Sequence, residues 1–278
     1  MSKTITYFKY LFRRILLSWR MLAVFIVSVL TMDTFLAPIR SYCQDMDIKV
    51  SPWGFALIWD NKYVGLCFLL IYILGISNFP EDRGKERYSI ARIGISNWVG
   101  AQALFMMLFG WLYTSFLYAV QNLLLIGVTE WSNEWGEGWT NLINSYVTEY
   151  FDIFITIPKR VLSNYSPEQA NFLVFLIMGL LLGMIGMLVM WLNFYAKSAG
   201  TLAATAMVFM SLAAQRYIRL YRYSPVNWIQ LENHYNLLSP EKPKQGYIIL
   251  MLICLTALLF MLSKNRANHT QENNRRKL

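Results

Sequence analysis

Charge is scarce in this chain. Asp, Glu, Lys and Arg make up 15% of its 278 residues, against roughly a quarter in an ordinary soluble domain. Hydrophobic residues reach 56% and come in unbroken blocks rather than amphipathic stripes, which excludes a conventional water-soluble fold. Cysteine is almost absent. Cys43, Cys67 and Cys254 are an odd, scattered set, so neither a disulfide framework nor a C-x-x-C metal pair is present. The two histidines, His234 and His269, have no partner ligands nearby in the sequence. The sequence lacks a G-x-x-x-x-G-K-[ST] phosphate loop, an H-E-x-x-H zinc motif and a G-x-S-x-G nucleophile elbow. Its apolar blocks hold one acid, Asp33, and no histidine, too little for hydrolysis within a membrane. The chain therefore reads as a non-enzyme that binds no cofactor or metal of its own and works by moving or binding something.

What is present is apolar sequence in span-length pieces. A helix crossing a bilayer needs about 20 apolar residues, and six such pieces are expected at 21–39, 63–79, 99–128, 170–195, 199–214 and 247–262. The fold class is an all-α polytopic membrane protein forming one transmembrane domain over 1–278, with little left for a soluble head. The fifth piece is short and Ala-rich, and its outer boundary is indistinct. The N-terminus reads as an uncleaved first span, because the basic lead-in is too long for a signal peptide and Ala37 offers a poor cleavage site.

Orientation follows from lysine and arginine. With the N-terminus inside, fifteen of the 25 basic residues fall on the inner segments, and eleven of the 16 acids fall outside. Both termini are then cytoplasmic. The same asymmetry argues against a nucleic-acid partner, since the basic excess is spread along one membrane face.

Two amphipathic stretches flank the spans. In residues 1–20, Phe8, Leu11, Phe12, Ile15 and Trp19 repeat at helical spacing opposite Lys9, Arg13 and Arg20. This suits an elbow helix on the inner surface or a plain basic tail. The outer segment 129–169 begins with Trp131, Trp135 and Trp139, read as interfacial anchors in contact with lipid. It continues with an apolar stripe from Leu142 through Ile143, Tyr146, Val147, Tyr150, Phe151 and Phe154 to Ile157. That spacing predicts one amphipathic helix ended by Pro158, either structural or able to touch a substrate. Polar residues within the spans, Asp33, Gln102, Gln121 and Asn122, are candidates for lining a path or for bonding neighbouring helices. Gly179, Gly183 and Gly186 in the fourth span, with the alanines of the fifth, predict that these two pack as a tight pair.

The inner segment 80–98 differs in kind. Pro80, Glu81, Asp82, Arg83, Glu86, Arg87, Tyr88 and Arg92 mix both signs of charge with an aromatic ring, and isoleucines at 90, 93 and 95 accompany them. A loop that only set topology would need the bases alone. This composition suits a short helix that docks on a soluble partner.

With that loop in place, the chain resembles the six-span permease subunits of type-two ABC exporters, especially the small bacterial ones. The resemblance lies in order and spacing from residue 63 onward: Asn78-Phe79-Pro80-Glu81-Asp82 after the second span, Arg92-Ile93-Gly94 and Trp98 opening the third, Ser166-Pro167-Glu168-Gln169-Ala170 before the fourth, and Ser224-Pro225-Val226-Asn227-Trp228-Ile229 after the fifth. It implies a second permease chain, identical or related, and soluble ATPase subunits that hold ATP and Mg. It also implies that 80–98 is the coupling segment and that the setting is a bacterial cytoplasmic membrane. The outer segment 129–169 is longer than many relatives carry, and the substrate class stays open among peptides, lipids and amphipathic toxins. A secondary transporter or channel, and a membrane assembly or sensor subunit, are the alternatives. The first would call for an internal repeat, and the halves show no convincing one.

Overall fold

The computed structural model describes residues 3–80, 86–155, 157–214, 217–234 and 242–275. Every regular element among them is helical, and one isolated bridge joins Val50 to Thr129. Helix is the expected answer to long apolar sequence, because it satisfies its own backbone polar groups where water cannot. In chain order the α-helices are α1 (Lys3–Leu16), α2 (Trp19–Asp45), α3 (Phe55–Trp59), α4 (Lys62–Ile76), α5 (Glu86–Ile93), α6 (Ile95–Leu125), α7 (Gly136–Asn141), α8 (Ser145–Tyr150), α9 (Lys159–Asn164), α10 (Pro167–Asn193), α11 (Ala199–Ala214) and α12 (Gln245–Arg275).

Four of these, α2, α6, α10 and α12, are long and apolar enough to cross a membrane. A fifth crossing exists if Pro52–Trp59 and α4 count as one span bent by 91°. Four or five crossings are thus shown of the six expected; α4 follows the second expected piece, 63–79, and a shorter apolar helix precedes it at an angle. The apolar run from Pro52 to Ile76 is cut at Asp60-Asn61. There the Asn61 side chain accepts hydrogen bonds from the backbone N–H groups of Tyr63 (3.0 Å) and Val64 (3.5 Å) and starts a new helix. The resulting α4 has 15 residues, about 22 Å of helix against roughly 30 Å of hydrocarbon. The α11 helix, with 16 residues, is also short.

The centre of the bundle is α6, packed against α1, α2, α10 and α12. Its closest approach is to α10. A Cβ placed on Gly110 would lie 2.8 Å from the Gly183 nitrogen and 3.1 Å from the Gly179 carbonyl oxygen, so two backbones meet where neither residue has a side chain. Around that crossing Gly179 faces Trp111, Gly183 faces Met107, and Gly186 faces Met106. The glycines of the fourth span therefore serve the third, not the fifth as their spacing suggested. The fifth meets α10 as well, at Gly200, which abuts the Val189 backbone.

Aromatic rings fill the bundle interior. Phe79 stacks on Phe105 (5.1 Å between centroids), Phe105 on Phe109 (5.6 Å) and Phe109 on Tyr72 (5.5 Å). The buried hydroxyls are satisfied: Tyr72 donates to the Leu182 carbonyl at 2.9 Å, and Tyr113 shares a 2.7 Å bond with Ser28.

Helix α1 is amphipathic as its spacing indicates, with Tyr7, Leu11 and Ile15 buried and Lys3, Lys9 and Arg13 exposed. Trp19 does not continue that stripe. Ser18 caps a new helix by accepting from the Met21 N–H, and Trp19 projects outward from α2. Helix α1 lies at what we call the proximal end of the bundle. At that end Arg20 donates to the Leu74 carbonyl and the Ser77 hydroxyl, and Arg266 of α12 lies 4.3 Å from the centre of the Tyr195 ring.

The opposite, distal end is a cap of loops and short helices. Residues 142–157 do not form the single amphipathic helix expected. Asn144 caps the separate α8 by accepting from Tyr146 N–H, and Asp152 has φ 51°, which ends it. Beyond it Ile153, Ile155 and Ile157 are buried at alternate positions while Phe154 is exposed. That alternation is the period-two signal of extended chain, and it overrides the helical stripe read across the same residues.

Candidate functional site

The segment singled out by its mixed charge forms a short helix, α5, at the proximal end between α4 and α6. Ile90 and Ile93 pack on the core, whereas Tyr88, Ala91 and Arg92 are exposed, Tyr88 at 81%. An amphipathic helix this short holds its place through tertiary contacts, and here they are specific. The Gly94 N–H closes α5 on the Ile90 carbonyl at 2.8 Å, and Gly94 at φ 84° turns the chain into α6, a conformation that costs glycine alone little. Asn97 donates to the Ile93 carbonyl at 2.7 Å and accepts from the Thr4 hydroxyl at 2.9 Å. Helices α1, α5 and α6 are thereby tied at one point.

The chain leading toward α5 is also anchored. Asn193, at the end of α10, donates to the carbonyls of Ser77 (3.2 Å) and Phe79 and accepts from the Gly200 N–H at 2.8 Å. Thr201 donates to the same Ser77 carbonyl at 3.1 Å. The ends of α4 and α10 and the start of α11 thus share one polar junction beneath the loop. The sequence reading passed over Asn193. Its signal was an amide closing an apolar block just before a five-residue turn.

Of the expected coupling residues, Pro80 is half-buried, and Tyr88 and Arg92 are exposed on α5. Glu81, Asp82 and Arg83 lie outside the described residues. Glu86 and Arg87 belong to α5, with side chains outside the description.

The expected path residues are not brought together. Asp33 pairs with Arg40 on its own helix at 3.4 Å, and both side chains are substantially exposed. Asn122 is half-buried and donates to the Tyr118 carbonyl of its own helix at 2.9 Å. Gln102 and Gln121 are fully buried, with no hydrogen-bond partner among the described residues. Nineteen positions apart on α6, they sit about 28 Å from one another along the axis.

The three tryptophans also separate. Trp131 is 81% exposed, as an interfacial anchor would be, whereas Trp139 is fully buried and Trp135 nearly so. Those two rivet the distal cap: Trp139 donates to the Ser51 carbonyl at 2.9 Å, and Trp135 to the Tyr165 carbonyl at 3.3 Å. Trp53 donates likewise to Ser132 at 2.8 Å, and a backbone pair closes Val50 onto Val128 and Glu130. Asn171 fastens the bent helix to α10, accepting from the Ala56 N–H at 3.0 Å and donating to the carbonyls of Trp53 and Pro167.

The cap holds a buried histidine, His234. Burial pushes His234 down to about 4, against the carbonyl of Trp228, which lies 2.8 Å from its Nε2 and favours the charged ring. Lys242, which donates to the Glu232 carbonyl at 2.8 Å, opposes that charge. Among the described residues no three His, Cys, Asp or Glu side chains gather as a metal site.

Comparison with known proteins finds no matching family model, no matching curated protein and no matching solved structure.

Proposed function

We propose that this chain is the transmembrane permease subunit of an ATP-driven exporter of the type-two ABC kind. It would sit in a bacterial cytoplasmic membrane with both termini cytoplasmic. The observation that carries this reading is α5: a short amphipathic helix in the proximal turn between α4 and α6, seated by Ile90 and Ile93 and presenting Tyr88 and Arg92 outward. A solvent-facing ring and cation on a rigidly tied helix suit a soluble protein that pushes on the bundle. The tie of α5 to α1 and α6 gives such a push a mechanical route into the longest buried helix. Because this chain has no phosphate loop, ATP and Mg belong to the partner ATPase.

The topology supports the same reading. Helix α1 is the elbow on the inner face, and α4 and α11, though short, complete six crossings. The aromatic column in the bundle centre favours a route at the surface of this chain, hence a second permease chain beside it. The cargo is an amphipathic molecule, whether peptide, lipid or toxin.

The test is purification of the tagged full chain from its native membrane. A co-purifying ATPase with a phosphate loop is expected. Charge reversal at Arg83, Glu86, Arg87 and Arg92 should release it while leaving the chain folded. Retention of the ATPase by all four reversed variants would refute docking through this loop.

A further inference from the structure

The distal cap carries an exposed aromatic surface that the exporter reading does not use. We infer that Tyr63, Tyr146, Tyr150 and Phe154 form a lipid-contacting foot that completes the hydrophobic wall where the second crossing is too short. The inference rests on heights along α2 and α4. Arg20, bonded to Leu74 and Ser77, sets one proximal level for both helices. At 1.5 Å per residue, Phe35 of α2 lies about 22 Å above it, Tyr63 of α4 about 17–21 Å, and Tyr42 about 33 Å. Phe154 packs on Phe35 (6.0 Å) and on Tyr63 (5.4 Å), so it sits at the lower level. Phe151 packs on Tyr42 at 4.9 Å, at the upper.

The rings of Phe154 and Phe151 therefore mark two levels, one near the height where α4 stops and one near the height where roughly 30 Å of hydrocarbon ends. Over that interval the polypeptide that might have continued α4, Pro52–Trp59, has turned aside by 91°. Phe55 to Trp59 are at most 1% exposed, under a cover of protein. That is the circumstance in which a broken helix is tolerated at membrane depth.

Beside it, four aromatic rings are exposed: Tyr63 at 45%, Phe154 at 53%, and Tyr146 and Tyr150 at 72% each. Tyr146 and Tyr150 stack at 6.4 Å, at the height where amphipathic rings prefer the headgroup boundary. Glu149 and Asp152 are exposed beside the upper rings, where headgroups lie, and the charges at the lower level have near partners. Asp33 pairs with Arg40, and the Lys62 ammonium lies 4.9 Å from the Tyr63 ring centre. The surface continues onto the exposed side of α2, which carries Ile26 and Leu30. The occupant is therefore the distal leaflet, with Phe154 and Tyr63 against its acyl region and Tyr146, Glu149, Tyr150 and Asp152 at its headgroups.

Nitroxide accessibility in phosphatidylcholine–phosphatidylglycerol proteoliposomes tests this. The label goes on Phe154→Cys in a background with Cys43, Cys67 and Cys254 replaced by Ala. Ile26→Cys is the lipid-facing reference and Ser163→Cys the water-facing one. Collisions with oxygen should dominate those with a water-soluble nickel chelate at Phe154, as at Ile26, with Tyr150→Cys intermediate. Nickel dominance as at Ser163 overturns the inference. So does low accessibility to both reagents, which would place another protein surface there. If Phe154→Cys fails to reconstitute, Tyr63→Cys reads the same height.

Discussion

Replacing Gly110 by Ala tests whether the α6–α10 crossing organises the bundle. The added methyl would stand 2.8 Å from the Gly183 nitrogen, 3.1 Å from the Gly179 carbonyl oxygen and 3.2 Å from the Leu182 carbonyl carbon. All three are backbone atoms of a helix that cannot rotate away as a side chain could. Overpacking costs about 1–3 kcal/mol, and backbone contacts belong at the upper end. Alanine returns about 1 kcal/mol of helix propensity. The net expectation is a loss of about 2 kcal/mol. Gly65, inside α4, is the matched control: a Cβ there meets nothing within 4 Å, so Gly65→Ala should be neutral or stabilising by up to about 1 kcal/mol. Reversible unfolding in mixed micelles, followed by far-UV circular dichroism, reads both. If the two variants shift equally, or Gly110→Ala is the more stable, the crossing is not where α6 and α10 lock.

Asn171→Ala should cost about 2–3 kcal/mol, because the buried Ala56 N–H loses its acceptor. Hydrogen exchange at residues 53–59 should quicken, and unchanged protection there would refute the anchoring role. Trp139→Phe keeps the ring and removes one donation to the Ser51 carbonyl, for a loss of about 1 kcal/mol and faster proteolysis of the distal cap. The folded cap holds His234 neutral, with its ionisation lowered from 6.5 to about 4, so the unfolded chain binds the extra proton between those values. Its stabilisation is whole above pH 6.5 and falls by about 1.4 kcal/mol per pH unit below that, until pH 4. His234→Gln should flatten the dependence of cap unfolding over that window, and an unaltered profile would remove His234 from the account.

Membrane character was legible because the long apolar blocks admit few structures. Helices α2, α6, α10 and α12 follow them closely. The amphipathicity of α1 was legible too, since Leu11 and Ile15 repeat with the helical period. Where two periods overlap, the sequence is ambiguous. From Leu142 to Ile157 a helical stripe and an alternating one overlap and both end on Ile157, and a cap at Asn144 with a left-handed Asp152 decides between them. The start of α4 was legible to within a residue; the short helix α3 before Asp60-Asn61 was not, because five apolar residues are too few to show a period. Gly110 carries no signal of its own. Its meaning appears only beside Gly179 and Gly183, about seventy residues away in the chain. For the site, composition located α5. Which of its residues face outward needed the packing of Ile90 and Ile93.

The central claim is that α5 couples the bundle to a separate ATPase. Its most direct measurement is vanadate-sensitive ATP hydrolysis by the complex, purified from native membranes into lipid nanodiscs, for the natural chain and for Tyr88→Ala with Arg92→Glu. Lys197→Glu, an exposed charge in the other proximal turn, serves as the control. Hydrolysis should accompany the natural chain and the control and be lost with the α5 variant. Equal hydrolysis in all three, or none with the natural chain, would contradict the coupling assigned to α5.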